Sequence, residues 1–263
     1  MKRLARLGAR LLVTAAAFGL WELAARAAGD RYFPPPSAVL DAMYQRWFSG
    51  PAGHLWLTAD ATGNLLPSLG RMLSGWAIAS LAGIAAGVAI GRLPLLADVT
   101  EPMVHFGRAI PAPVLVPVFF LLFQIGTQME VAAIIFGVIW PVLLNTIDGA
   151  RHVDRLHIET ARAFRLPPAQ RLFRIILPSA TPKIFAGLRL ALALALVMMI
   201  ISEFVGSTDG IGREMLAAQS SFDVPEMWAI IVLLGLLGVA LNLVFGVVEH
   251  RVLACQQGSQ QTA

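Results

Sequence analysis

Charge is what this chain has least of. Aspartate, glutamate, lysine and arginine together make up 14% of its 263 residues, where ordinary soluble domains carry about 25%. Lysine is nearly missing. Lys2 and Lys183 are the only ones, and neither follows a glycine. That excludes a phosphate-binding loop of the Walker kind, whose lysine must follow a glycine-rich turn. The single cysteine, Cys255, excludes an internal disulfide framework. With no base beside it, it reads as a chance thiol. His152 and His157 are five apart and do not share a helical face, so they make no metalloprotease pair. No Gly-x-Ser-x-Gly elbow occurs. The residues offer no visible means of holding ATP or a catalytic metal, or of forming an acyl-enzyme.

What the chain has instead is oil. It is 57% hydrophobic and its mean hydropathy is +0.71, which makes it an integral membrane protein. The apolar stretches predict an all-α membrane protein with six spans: one within residues 1–28, then 72–91, 103–123, 131–147, 184–202 and 227–248. The first carries Trp21, suited to an interfacial belt, and Arg26, which can reach the far interface. Ala25-Arg26-Ala27 also resembles a signal-peptide cleavage site, but the flanks favour a retained span. Residues 29–68 read as an external connecting segment with short amphipathic helices, residues 203–226 as an external loop with a re-entrant or gate-like element, and residues 251–263 as a polar tail.

The distribution of cations orients the chain. With the amino terminus inside, the inner segments hold Lys2, Arg3, Arg6, Arg10, Arg92, the cations of the 150–183 loop and Arg251. The outer ones hold only Arg31, Arg46, Arg71 and Arg213. Both termini are therefore expected in the cytoplasm. In the second span Gly83, Gly87 and Gly91 recur at four-residue spacing, with Gly75 and Ala79 on the same face. Such a ridge of small residues admits another helix backbone. Pro111, Pro113 and Pro117 break the third span, and the backbone groups they free must be buried in protein or line a wet cavity, so this span is expected to face the inside of the bundle.

The charged island is the loop that contains Glu159 to Pro178. Leu156, Thr160, Ala163 and Phe164 fall on one helical face, with Arg155, Glu159 and Arg162 opposite. Pro167-Pro168 ends that helix and can open another, in which Leu172, Ile175 and Ile176 form an apolar stripe. Two short amphipathic helices at a membrane face call for lipid headgroups or a partner protein.

These residues resemble the cytoplasmic loop of permease subunits of bacterial ABC importers, which reads E-A-A, three residues, G, nine residues, I-x-L-P. Here the places are filled by Glu159, Thr160 and Ala161, by Arg165 in the glycine position, and by Ile175, Leu177 and Pro178. Ser68-Leu69-Gly70-Arg71, Arg108-Ala109-Ile110-Pro111 and Gly187-Leu188-Arg189 are similar to the nitrate/sulfonate/taurine group, which also includes permeases for thiamine precursors and other small ring compounds. The resemblance implies a type I importer fold, with residues 69–250 as the transmembrane domain and 150–183 as its coupling loop. The loop residues it assigns to an ATPase are Glu159, Thr160, Ala161, Arg162, Phe164, Arg165, Leu166, Pro167, Ile175, Leu177 and Pro178. It implies a permease without catalysis of its own in a bacterial inner membrane. The partners are an ATPase dimer that binds ATP and magnesium, a second permease copy in a homodimer, an external binding protein and lipid; no nucleic acid is involved. The cargo expected is a small anion of the nitrate, sulfonate or taurine class.

For the translocation path the candidates are Arg108, Pro111, Pro113, Pro117, Ser202 and Glu203. Arg108 fits an interfacial anchor or a cavity lining, Arg189 a cytoplasmic anchor, and Glu203 a gate or a solvated helix end. An ion-coupled secondary transporter would need an inverted repeat and acidic groups within its spans. An intramembrane enzyme would need a nucleophile or metal set. Neither pattern is visible. The arginine at the glycine position leaves two possibilities: the turn is made differently, or Pro167-Pro168 makes it.

Overall fold

The computed structural model describes residues 2–29, 31–54 and 56–260, with side chains for 12–29, 31–53 and 56–254. The basic cluster Lys2, Arg3, Arg6 and Arg10, and Cys255 with the tail after it, lie outside the described side chains. The regular elements among the described residues are all helices: α1 Lys2–Ala28, α2 Pro36–Met43, α3 Leu66–Arg92, α4 Pro94–Ala109, α5 Val116–Phe123, α6 Thr127–Arg151, α7 Arg155–Ala163, α8 Pro168–Arg171, α9 Leu177–Phe204, α10 Ile211–Ser221 and α11 Val224–Gln260. Four stretches, 61–92, 127–151, 168–204 and 224–254, are long and apolar enough to cross a membrane.

The expected third span is not one straight helix. α4 and the segment Ala112–Phe123 meet at 85°. The cause is local. Ile110, ahead of Pro111, is extended (φ −73°, ψ 121°), as a residue before proline prefers. Together the bent pair makes a fifth candidate span. The sixth expected span is α1, where side chains are described only from residue 12.

The second amphipathic helix of the loop is not separate either. A π-helical turn over Leu172–Ile176 joins α8 to α9, so one helical run extends from Pro168 to Phe204. Pro178 sits in the first turn of α9, where its missing N–H costs little, and Pro182 is accommodated inside the helix.

The chain divides into two compact units. The first contains residues 1–67 and 209–236. Its aromatic centre is Trp21, Phe33 and Trp228, with ring centroids 5.6–5.7 Å apart. Trp228 Nε1 donates to the Tyr32 carbonyl (3.1 Å). Arg26 pairs with Glu22 at 2.6 Å instead of reaching away from the helix.

The second unit contains residues 68–208 and 237–263. In it α6 lies between α3 and α9. The glycine ridge of α3 meets α6 along its length: a Cβ added at Gly83 would lie 3.0 Å from Val142, at Gly87 2.6 Å from Thr146 and at Gly91 2.8 Å from Ala150. On its other side α6 meets Gly187 of α9, where an added Cβ would lie 2.8 Å from the Pro141 carbonyl oxygen. Helices in an apolar solvent associate by close van der Waals contact, and small residues allow it.

Candidate functional site

The loop between α6 and α9 is built outward from a small apolar seat. Ala150, Val153, Ile158 and Ile176 are buried together, with Leu172 and Ile175 packed against them. α7 starts at Asp154, whose carboxylate accepts from Leu156 N–H (2.9 Å) and caps the helix. The inner ends of α6 and α9 are tied by an ion pair between Asp148 and Lys183.

The face that α7 buries differs from the expected one. Ile158 and Ala161 point inward. Leu156, Thr160, Ala163 and Phe164 point out, Phe164 at 77% exposure. The helix has two apolar stripes, and periodicity favours the longer. The shorter one fits the seat, because alanine allows the helix to approach closely.

At the motif's glycine position Arg165 adopts φ +52°. Leu166 N–H donates to the Ala161 carbonyl (3.0 Å) and Arg165 N–H to the Arg162 carbonyl (2.9 Å). These two bonds form a Schellman C-cap, which requires a left-handed residue at this position. Of the two possibilities above, the arginine makes the turn itself, at a strain of roughly 1–2 kcal/mol relative to right-handed geometry. Pro167-Pro168 follow only as the entry to α8. Glu159, Arg162, Arg165 and Pro167 are exposed, and Leu166, Ile175, Leu177 and Pro178 half-buried.

At the opposite end of the same unit lies a cluster that sequence reasoning did not find. Arg71 of α3, counted above among the solvated outer cations, is 6% exposed. Its Nε lies 2.6 Å from Glu130 of α6 and its Nη2 2.8 Å from Glu203 of α9. Ser68 Oγ donates to the same Glu203 oxygen (2.6 Å). Glu130 and Glu203 are both 1% exposed. Removing one member of such a group leaves an uncompensated buried charge, at about 3–5 kcal/mol. The only signal in the sequence was the presence of charged residues at the ends of apolar runs.

The path candidates separate. Ser202 and Glu203 are enclosed by their own chain. Pro111, Pro113 and Pro117 are exposed in this chain, as is Arg108, so they do not point into its packed interior as expected. Arg108 ends α4 at the 85° bend and has no acidic partner among the described residues. Arg189, expected as an anchor, is instead paired with Glu249 of α11.

The first unit has a cationic hub of its own. Arg46 lies 3.5 Å from Asp60, 3.5 Å from Glu214 and 3.3 Å from Glu226. Asn64 bridges Glu214 (2.7 Å) and Gly210 N–H (2.9 Å). Arg46, Asp60, Asp223 and Glu226 line an open cavity of about 500 Å³. Burial pushes the Glu214 carboxyl above its ordinary value, and the Arg46 charge and the Asn64 hydrogen bond oppose this only in part.

Residues 79–253 match the family described as binding-protein-dependent transport system inner membrane component. The bicarbonate transport system permease protein CmpB of Synechocystis is 31% identical over 233 residues, covering 85% of this chain and 80% of that protein. A probable ABC transporter permease protein of Brucella abortus is 28% identical, covering 97% of this chain and 98% of its own. The nitrate import permease NrtB of Leptolyngbya laminosa is 28% identical over 72% of this chain and 68% of its own. Among solved structures, a chain of the inward-facing MetNI methionine ABC transporter matches with a TM-score of 0.64 and 18% identity, over 77% of this chain and 99% of that one.

Proposed function

This chain belongs to the binding-protein-dependent transport inner membrane component family of ABC importer permeases, and from that we infer which surfaces do its work. It is a multi-pass inner-membrane permease subunit of a family without catalytic sites of its own. We place the 150–183 loop in the cytoplasm with both termini, docked on the ATPase. The observation that carries this is the exposed face of α7. Leu156 (66% exposed) and Phe164 (77%) stand beside Arg155, Arg162 and Arg165 on a helix whose other side is fixed to the bundle. An exposed aromatic beside arginines has the composition of an interface hot spot.

The cargo in this reading is a small anion, in keeping with relatives named for bicarbonate and nitrate. Arg108, exposed at the bend and unpaired, is the side chain we assign to the path. The remaining parts are a second copy of the permease and an external binding protein. ATP binding draws the coupling helices together, and the spans alternate between outward and inward openings without making or breaking a bond in the cargo.

The test is uptake per ATP hydrolysed in reconstituted vesicles, wild type against Glu159→Lys. Glu159 is the only acidic residue between Arg155 and Lys183. Reversing its charge exposes a uniformly cationic face to the docking site, at a cost of a few kcal/mol in association. The variant is expected to insert normally and to lose ATPase binding or coupling. Unchanged complex yield together with an unchanged ratio of uptake to hydrolysis would refute the coupling role.

A further inference from the structure

Arg71, Glu130 and Glu203 come from three different helices, α3, α6 and α9. All three are more than nine-tenths enclosed, and Ser68 holds the same Glu203 oxygen that Arg71 does. On both sides of this cluster the chain leaves helical geometry. Before α6, Gln124 has φ 61° and Gly126 φ 140°; after α9, Gly206 has φ 154°. The arrangement is a stiff knot between two joints, and a few residues at element ends are where large backbone changes are absorbed. A gate must open in every cycle. Opening this cluster would strand buried charge each time, because each carboxylate depends on the one guanidinium.

Resting on the importer reading above, we propose that Arg71 is a positioning residue for transport. It clamps the Glu130 end of α6 and the Glu203 end of α9 to α3, so that the three outer helix ends move as one body. The change of direction is taken up at residues 124–126 and at Gly206. Glu203 belongs to the clamp and is not a gate.

The test uses spin labels at exposed positions, Leu73→Cys with Gln128→Cys and Gln128→Cys with Val205→Cys, in a Cys255→Ser background. In the full complex the two distances should differ by no more than about 2 Å, a small helix shift, between the nucleotide-free and the vanadate-trapped state. In the permease alone, Arg71→Met should broaden both distributions. A change of about 5 Å, one helical turn, between states of the native clamp would overturn the proposal. So would distributions that Arg71→Met leaves unaltered.

Should Arg71→Met not assemble, a second variant decides. A Cβ at Gly75 would lie 2.9 Å from Ile134 Cβ, so Gly75→Cys with Ile134→Cys can form a disulfide between α3 and α6. If these ends move together, oxidised and reduced complexes should respond to the binding protein with ATP hydrolysis within about twofold of each other. A loss of about tenfold on oxidation, restored by reductant, shows that the helices must separate and sinks the clamp. Native complexes that never respond to a binding protein count against the importer reading alone. The spin-label comparison in the isolated permease still judges the clamp.

Discussion

The two ends of the second unit hold charge in opposite ways. At one end Arg71 is enclosed with Glu130 and Glu203, and every charge is met within the chain. At the other, α7 exposes Arg155, Arg162 and Arg165 with only Glu159 among them. The same residue type, arginine, serves packing where three helices supply carboxylates, and recognition where a single helix turns it outward. Arginine alone predicts neither; what faces it decides.

The largest expected effect breaks the enclosed end. Arg71→Ala strands two buried carboxylates and should lower stability by about 3–5 kcal/mol, measured as unfolding in detergent. Replacing the whole group with Met at 71 and Leu at 130 and 203 should recover most of that loss, because apolar residues of similar volume satisfy such a site. If the triple variant is as unstable as Arg71→Ala, the triad contributes something other than charge balance.

Next is the seam between the two ends. Gly87→Leu forces a branched side chain where even a Cβ would lie 2.6 Å from Thr146. Overpacking of this kind should lower stability by about 1–3 kcal/mol. Wild-type unfolding and wild-type uptake together would mean that α3 and α6 can part without penalty.

A smaller effect, of opposite sign, belongs to the exposed end. Arg165→Gly relieves the left-handed strain and should stabilise the loop by about 0.5–1 kcal/mol, less the extra freedom glycine has when unfolded. Slower hydrogen exchange at the Leu166 amide, which closes the cap, is the direct readout. Faster exchange would mean that the arginine side chain holds the turn.

The smallest effect lies in the first unit. Glu214 has its carboxyl raised by burial. A raised group favours the folded state most below the ordinary glutamate range, about 4.3, and that contribution is lost as pH rises through the raised value. The stability of wild type relative to Glu214→Gln should therefore fall as pH increases from acid towards neutral. A difference that does not vary with pH would mean that Arg46 and Asn64 fully offset the burial.

Much of the coupling loop was legible because its signals are local. The spacing from Glu159 to Pro178 carried the family resemblance, the proline pair marked the end of α7, and the glycine period marked the face of α3. The errors were of two kinds. Where proline was taken as a stop, at Pro178, the first-turn rule applied instead and α9 ran through. Where a helix had two apolar stripes, the sequence could not say which would meet Val153 and Ile176. The triad was invisible for another reason: Arg71, Glu130 and Glu203 are scattered along the chain, and each by itself looks like a charged helix end.

By itself, then, the sequence determined the solvent of this protein, its helical class, the side of the membrane its cations favour and the loop that carries the family's pattern. Each of those is a sum over neighbouring residues, and hydropathy, period and charge bias add along the chain. Only the tertiary structure decided that Arg71 is enclosed, that Ile158 faces inward while Phe164 faces out, and that Arg165 sits left-handed. Each of those depends on which residues from distant segments come within a few ångströms, and burial in a low-dielectric interior turns such contacts into several kcal/mol.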